Sequence, residues 1–463
     1  MVSFVGIASY LPSIREPEKE QSLKEMLAWT GVVLLLYFLL GSINVYGANS
    51  EAVAQALTRL ETFQTLLGAQ IGSIITLGIG PIVTSSIVLQ MMVGSELLPW
   101  NTNTQEGKQK FQAAQKVLAY SLTVIEAFGW VLSGNFGPVS GDPMLVFLLA
   151  GQITIGGWLI ILMDDLVQKW GFGSGTGIFI AAGVSKAVYI SAVSPLTQTG
   201  ELFWSVGGGT GTPVGALFQF INSFELTALL PIVSTILVFS VVVYMQSMKV
   251  EIPLTFGNVR GFGQKWPLNF IYTSNMPVIL IAALVTNFQI VGSSIAGSNG
   301  CSILGCFSGG QATSGLVSWL QAPTQAVTSF LGTGVMAPSD IIHILFYISV
   351  YAFGSVLFSI FWMRTSGQDP DSVAEQIQQT GMKVPGFRKD KRVIKKVLNR
   401  YIPSLTILSG FLVGLLAALA NMTSAAGGGT GILLTVMILY KLYEQLAQKH
   451  MEELHPAMKD FMQ

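Results

Sequence analysis

Long apolar stretches alternate with short polar connections over nearly the whole chain. A membrane-spanning helix needs about 20 mostly apolar residues. Ten segments of this kind, of which the second is shortened, fall near residues 27–46, 76–94, 114–134, 144–164, 175–196, 226–247, 269–291, 340–363, 402–420 and 427–444. The pattern therefore predicts an all-α membrane protein with ten transmembrane helices.

The second segment is broken near its start. Gly78, Gly80 and Pro81 fall within one short stretch of an otherwise apolar run. Proline ends or kinks a helix, and freed backbone groups at membrane depth are tolerated only beside protein or a water-filled cavity. We predict an apolar half-segment at about 63–76, too short to cross, and a spanning helix from about Gly80 to Val93. The alternative that this pattern leaves open is a proline-kinked helix without a special role.

Composition excludes a soluble protein. Of 463 residues, 51% are hydrophobic and 10% are charged, whereas soluble domains carry roughly 25% charged residues. The first 25 residues lack a long apolar core, so we expect no cleavable signal peptide. Within them, Ser22-Leu-Lys-Glu25 is a capping-box pattern, and we expect it to open a helix on the membrane surface.

Basic residues indicate the orientation. If the N-terminus is cytosolic, all of the 24 Lys and Arg except Arg59 and Lys186 lie on or next to the cytosolic side. The positive-inside rule then predicts that both termini are cytosolic. Five helices in each half, 1–201 and 202–463, would give the halves inverted topologies. Basic loops at 246–269 and 365–400 favour a docking surface for an acidic or RNA-rich partner over a simple attraction to anionic lipid.

Few residues could carry chemistry. The glycine runs at 171–177 and 425–431 lack the strands that a nucleotide-binding loop requires, and the few polar side chains inside predicted spans argue against a specific ion or sugar site. We therefore expect no enzyme, cofactor or metal. Cys301 and Cys306 form either a disulfide or two free thiols. The pairs Ile79/Val83 and Thr176/Ile180 each share a helix face, for which ordinary packing is the simpler interpretation.

Four motifs in order resemble the SecY family of protein-conducting channels, in its archaeal and eukaryotic branch. They are Leu77-Gly-Ile-Gly-Pro-Ile-Val-Thr84, Gly171-Phe-Gly-Ser-Gly-Thr-Gly-Ile-Phe-Ile-Ala-Ala-Gly-Val-Ser185, Lys249-Val-Glu-Ile-Pro-Leu254 and Gly427-Gly-Gly-Thr-Gly431. The resemblance covers essentially the whole chain. It implies a SecY-like fold of two pseudo-symmetric inverted halves with a short plug half-helix, and a role as the central pore of the Sec translocase.

The resemblance also implies site residues. The plug would include Leu67, Gly68, Gly72 and Ile74. The pore ring would be Ile79, Val83, Thr176, Ile180, Ile279 and Leu434, with Leu433 the alternative for the last, and Thr176 departs from the family's apolar habit. The lateral gate would lie between the second and seventh helices, with Thr84, Gln90, Glu126 and Asn275. Ribosome docking would use Arg260, Arg388 and Lys389.

The implied partners are a SecE-like gamma subunit, a small beta subunit, the ribosome, signal sequences, nascent polypeptides and membrane lipids. The resemblance favours an archaeal plasma membrane. A narrow apolar ring dewets and blocks ions, which suits a pore that must pass varied polypeptides. The rival hypotheses are a small-solute secondary transporter or channel, and a membrane scaffold.

Overall fold

A computed structural model of the protein describes residues 6–454. Within this range it does not describe residues 7, 20, 60–63, 65–66, 95–96, 99, 101–103, 133, 135, 138–142, 198–201, 205–211, 254, 257–264, 274–275, 297–300, 303, 309–310, 380–381 and 384–390. Four predicted site residues lie outside the described residues: Asn275, Arg260, Arg388 and Lys389.

Each predicted span coincides with a helix. The helices are α1 (Leu23–Ser42), α2 (Gly80–Gly94), α3 (Gln105–Leu132), α4 (Pro143–Trp170), α5 (Gly175–Val193), α6 (Leu230–Ser247), α7 (Met276–Ala296), α8 (Pro338–Thr365), α9 (Lys391–Met422) and α10 (Gly429–Leu454). Within the described residues, α1, α4, α5, α6, α8 and α9 are long and apolar enough to cross a membrane, while α2 and α7 contain shorter apolar helices.

The capping box opens α1 itself. The Ser22 hydroxyl accepts the Glu25 N–H, and the Glu25 carboxylate accepts the Ser22 N–H at 3.0 Å. The expectation of a surface helix here is therefore wrong, because the cap begins the first apolar helix.

We call the side on which α1 begins and α10 ends the termini side, and the opposite side the far side.

The connection from α1 to α2 lies on the far side. It contains a helix, Ser50–Arg59, and then helical conformation at Gln64 and Leu67. Residues 68–79 follow as turns and irregular backbone, and α2 begins at Gly80, where the sequence predicts the break. Of the predicted half-helix at 63–76, the described residues are thus helical only in the first part.

Glycines bring several helices into close contact. α8 packs along α9, α7 packs on α8, and α5 and α6 both pack on α10. A Cβ on Gly414 of α9 would lie 2.5 Å from the Tyr351 carbonyl oxygen of α8, and one on Gly410 would meet Ser359. Only glycine permits this approach of the two helices, which place their apolar faces in the main hydrophobic cluster.

The long basic connections fold into a platform on the termini side. Its described strands are β1 (Lys249–Pro253), β2 (Thr255–Phe256), β3 (Lys265–Asn269) and β7 (Met382–Lys383). The other described strands, β4 (Cys301–Ser302), β5 (Gly305–Ser308) and β6 (Gln311–Ser314), lie outside the platform. β1 pairs with β3, and β2 pairs with β7, both antiparallel. Helix Pro370–Gln379 and the start of α9 complete what we call the termini-side platform.

The termini-side platform has its own apolar core. The core includes Ile252 and Leu268 from the β1–β3 hairpin, Ile377 from helix Pro370–Gln379, and Ile394 and Leu398 from α9. The described residues of the loops predicted at 246–269 and 365–400 therefore lie mostly in strands and helices. The ninth helix begins at Lys391, well before the predicted residue 402, because its first turns pack against helix Pro370–Gln379 in the platform core instead of crossing an apolar phase.

A small sheet on the far side extends from α7. β4, β5 and β6 form an antiparallel meander, and β4 and β5 pack against α7. Cys301 and Cys306 are paired partners across β4 and β5 and form a disulfide. Of the two interpretations of these cysteines, the structure supports the disulfide.

Candidate functional site

The predicted ring residues come from four helices that share one apolar cluster. Ile180 of α5, Ile279 of α7 and Leu434 of α10 are buried in it, as is Ile79 directly before α2. Val83 is partly buried and packs against it. Leu433 is buried in the same cluster, so burial does not distinguish it from Leu434. The ring assignment itself stays a prediction.

Thr176 has a polar environment at the start of α5. Its hydroxyl lies 2.7 Å from the Ser174 hydroxyl, and its N–H donates to Asp164 Oδ1 at 2.7 Å. Asp164, near the end of α4, is buried and also accepts from Gln168. The first N–H groups of a helix have no acceptor within the helix. Asp164 supplies such an acceptor to the Thr176 N–H of α5. Thr176 thus takes part in a helix cap.

The predicted plug segment, residues 63–76, contacts the ring through its backbone. The Leu67 carbonyl accepts the Ile79 N–H at 2.9 Å, and the Leu67 side chain packs against the main cluster. Gly78 has φ +53°, and a Cβ there would lie 2.4 Å from the Leu67 carbonyl oxygen. The break before α2 is therefore the place where the chain folds back against Leu67.

The remaining predicted plug residues bond to α1 and to the chain that follows it. The Gly68 carbonyl accepts the Tyr37 hydroxyl of α1 at 2.6 Å. The Gly72 carbonyl accepts the Val45 N–H at 2.9 Å, and the Ile74 N–H donates to the Ile43 carbonyl at 3.0 Å. The later part of the segment is thus attached by backbone hydrogen bonds to the chain that follows α1.

A cavity lies between α2, α7 and α8, on the predicted gate. It has a volume of about 480 Å³. Among the described lining residues Gln90 is polar, and the others are mainly apolar: Ile87, Val88, Met91, Met92, Leu97, Leu280, Phe358, Phe361 and Trp362. α2 packs extensively on α3 and meets α8. An apolar space of this size at a seam between helices can receive an apolar side-chain surface.

The other predicted gate residues lie where α2 meets α3. The Thr84 hydroxyl donates to the Gly80 carbonyl at 2.9 Å and faces the Glu126 carboxyl group. Glu126 Oε2 would lie 3.4 Å from a Cβ on Gly80, so the carboxyl group is beside the first turn of α2. A helix N-terminus favours a nearby negative charge. Thr84 and Glu126 are thus brought together, whereas Gln90 lies farther along α2.

The described neighbours of the predicted docking residues are basic. Arg392, Lys396 and Arg400 are exposed on the first turns of α9, and Lys395 binds Asp371 at 2.7 Å. Burial, and to a lesser extent the Asp369 carboxylate, raises the pKa of the Tyr272 hydroxyl above its usual value. This hydroxyl therefore stays protonated and donates to the Gln368 carbonyl at 2.7 Å, which joins the turn between β3 and α7 to the chain just before helix Pro370–Gln379.

Comparison with known proteins decides the family. The SecY family model matches residues 73–443. The chain belongs to the SecY family. A SecY relative from Methanocaldococcus jannaschii, named protein translocase subunit SecY, is 41% identical over 463 residues and is aligned over 99% of each chain.

Solved SecY-family structures have the same fold. One of them is 40% identical to this chain with a TM-score of 0.80. It is described as showing that the plug domain of the SecY protein stabilises the closed state of the translocation channel and maintains a membrane seal. The alignment covers 98% of this chain and 99% of that one. Sec61 in the canine ribosome-channel complex from the endoplasmic reticulum is 39% identical with a TM-score of 0.77, over 98% of this chain and 99% of that one. The predicted SecY-like fold of a multi-pass membrane protein is confirmed.

Sequence reasoning missed three polar contacts of this SecY-family chain. They involve Tyr37 in α1, Asp164 in α4 and Asn421 in α9, whose partners lie 31, 12 and 9 residues away in sequence and in another element or connection. The signal that could have found them is a hydrogen-bonding group within an apolar run, because such a group is costly in lipid and therefore faces the interior.

Proposed function

We propose that this chain is the central, pore-forming subunit of a Sec protein translocase. It passes unfolded secretory polypeptides across the membrane and releases apolar segments sideways into lipid. The apolar cavity at the α2–α7–α8 seam carries this proposal, because it adjoins the helices of the predicted ring and offers a place for an apolar signal segment. The small-solute alternative is not taken further, since the relatives are protein translocase subunits.

The ring and plug would act together to prevent leakage. We assign the ring to Ile79, Val83, Ile180, Ile279 and Leu434, with Thr176 at its edge. A narrow aliphatic constriction excludes water and ions yet holds no specific ligand. The plug segment, which contacts Ile79 through Leu67, supports the assignment because its displacement would expose the ring.

A signal segment would open the gate through preferential binding. The cavity lining includes methionines and aromatic residues from α2 and α8, and methionine adapts to varied apolar surfaces. A ligand shifts a conformational equilibrium only by its difference in affinity for the two states. We infer that signal segments bind the open seam more tightly than the closed one.

The proposed partners and location follow from the family. We propose that halves 1–201 and 202–463 are clamped by a SecE-like gamma subunit, that a small beta subunit joins them, and that a ribosome docks on the termini-side platform. The location would be an archaeal plasma membrane with both termini cytosolic. The canine relative in a ribosome-channel complex supports the ribosome assignment.

Site-specific crosslinking tests the proposed function. Photoreactive probes at Ile279 and Thr84 should crosslink to a stalled nascent chain. A probe at Ile236, which is exposed on α6, should label lipid and give no nascent-chain adduct. Equal labelling at all three positions, or none at Ile279 and Thr84 in a complex that binds the stalled ribosome, would contradict a central polypeptide path.

A further inference from the structure

We propose that α1 and α5 hold the plug segment closed through a latch. In this latch Tyr37 binds the Gly68 carbonyl, Lys186 binds the Gln70 side chain, and Gly41 provides space for that side chain. The proposal rests on the proposed function of residues 63–76 as a plug, and it identifies the residues that set the stability of the closed state.

Tyr37 forms the first part of the latch. Its side chain is fully buried, and its hydroxyl donates to the Gly68 carbonyl at 2.6 Å. Its ring stacks on Phe179 of α5 with a centroid distance of 5.1 Å and an interplanar angle of 21°. The hydroxyl is therefore held in place by both helices, and a buried carbonyl without this donor would lose its partner.

Gly68 lies directly against the backbone of α5. Its φ is +54°, and a Cβ there would lie 3.1 Å from the Phe179 carbonyl oxygen. A Cβ on Gly183 would lie 3.5 Å from the Gly68 Cα. Glycine at both positions lets the plug segment lie close to the helix that carries Ile180, so its position depends on direct contact with α5.

Gln70 and Lys186 form the second part of the latch. Lys186 Nζ donates to Gln70 Oε1 at 3.2 Å. Lys186 lies on α5 between Ile180 and the far side. The Lys186 side chain is exposed, whereas Gln70 is half-buried. An amide oxygen from the plug segment is a hydrogen-bond partner for the Lys186 ammonium group only while the segment is in place.

Gly41 forms the third part of the latch. A Cβ at this position in α1 would lie 2.4 Å from the Gln70 amide atoms. Gln70 Nε2 is buried, and the amide packs on Gly41 and accepts from Lys186. Any side chain at residue 41 must displace the amide.

The attachment of the later plug residues shows which part can move. Asn44 and Ser73 form an antiparallel bridge, flanked by the backbone hydrogen bonds of Gly72 and Ile74. These contacts join the segment to the end of α1 without any side chain. We infer that residues 68–70 leave α5 when the latch opens, while residues 72–74 remain attached.

Resting ion conductance of the full chain in planar bilayers tests the latch. Deleting residues 68–70 should raise it and gives the unlatched reference. Tyr37→Phe and Lys186→Met should each raise conductance at least threefold, and Gly41→Ala should do so by displacing Gln70. Gly31→Ala is the matched control on α1, because a Cβ there meets nothing within 4 Å, and it should behave as wild type.

A second set of variants separates the latch from a general loss of structure. Lys186→Arg retains the donor and should keep wild-type conductance. Lys186→Met should add no further leak in a Gln70→Ala background, because the two residues act through one contact. All variants should elute as the wild type does on size exclusion and still translocate a secretory substrate.

Two results overturn the latch in distinguishable ways. If the deletion raises conductance while Tyr37→Phe and Lys186→Met match wild type, the plug assignment stands and the latch is wrong. If the deletion leaves conductance unchanged, residues 68–70 do not seal the pore, and both the plug assignment and the latch fail.

Discussion

Single residues in the apolar interior divide into two chemical classes with different tasks. Ile79, Ile180 and Ile279 are buried aliphatic side chains that bind nothing specific. Tyr37 and Asp164 are buried polar side chains, and each has a hydrogen-bond partner on another part of the chain. The first class suits a constriction that yields to varied polypeptides, whereas the second class fixes the helices around it.

Ile79→Ser should raise the resting ion conductance of the pore. Ile79 is fully buried and precedes the first turn of α2, and a hydroxyl at an apolar constriction favours its wetting. We expect an increase of several-fold in planar bilayers. Ile236→Ser on the exposed face of α6 is the control and should leave conductance unchanged. A leak that rises equally in both variants would remove Ile79 from the ring.

Helices inside the membrane could be predicted more fully than the elements outside it. The hydropathy pattern locates all ten helices, six of which are long and apolar enough within the described residues to cross a membrane. It does not predict that α9 begins at Lys391, since its first turns mix basic residues with Ile394 and Leu398. These two are four residues apart and lie in the platform core, where α9 packs on helix Pro370–Gln379. Helical periodicity, read without a hydropathy threshold, would have extended this helix.

The candidate site could be predicted in part. The ring positions near Gly80 and Gly175 follow from glycine-rich helix starts together with the family resemblance. A polar group in an apolar run marks Tyr37 and Lys186 as candidates for interior contacts, but their plug partners could not be predicted, because those partners are more than thirty positions away. Such pairings depend on how helices assemble, which the local pattern does not specify.

Reversing a charge on the termini-side platform should weaken ribosome binding. Arg388 belongs to the same basic connection as Arg392 and Lys396, both exposed on α9. A hydrogen bond to a charged group contributes roughly 1.5–3 kcal/mol, so Arg388→Glu should weaken binding by about tenfold or more. Cosedimentation of reconstituted vesicles with ribosomes measures this.

The control for this prediction is a charge reversal elsewhere on the termini side. Lys110 lies near the start of α3, where it pairs with Glu106. Lys110→Glu should leave ribosome binding close to wild type. If both variants lose binding to the same extent, the effect is one of net charge and the platform has no specific role.

At the scale of the whole molecule, the two halves end in the same way. α5 and α10 each begin with Gly-Thr-Gly, at 175–177 and 429–431. The Thr176 N–H donates to Asp164 Oδ1 of α4 at 2.7 Å, and the Thr430 N–H donates to Asn421 Oδ1 of α9 at 3.0 Å. Each half thus fixes its last helix with an acceptor from the helix before it.

Both caps lie one helical turn from a predicted ring residue. Ile180 and Leu434 each follow the capped threonine by four positions. A Cβ on Gly175 would lie 2.6 Å from Asp164 Oδ1, and one on Gly429 would lie 2.1 Å from the Ala420 carbonyl carbon. The same device therefore sets the position of both predicted ring residues, which supports the proposal of two inverted halves at 1–201 and 202–463.

Removing either cap should destabilise the protein, and removing both should be additive. Asp164→Ala and Asn421→Ala each leave a helix N–H without its acceptor, which costs about 1–3 kcal/mol. The two caps belong to different halves and different sides, and distant sites usually add within about 0.5 kcal/mol. Thermal unfolding in detergent should show two lowered midpoints whose shifts sum in the double variant. Asp164→Asn keeps a carbonyl acceptor and should retain most of the stability. If Asp164→Asn is as unstable as Asp164→Ala, the carboxylate serves something other than the cap.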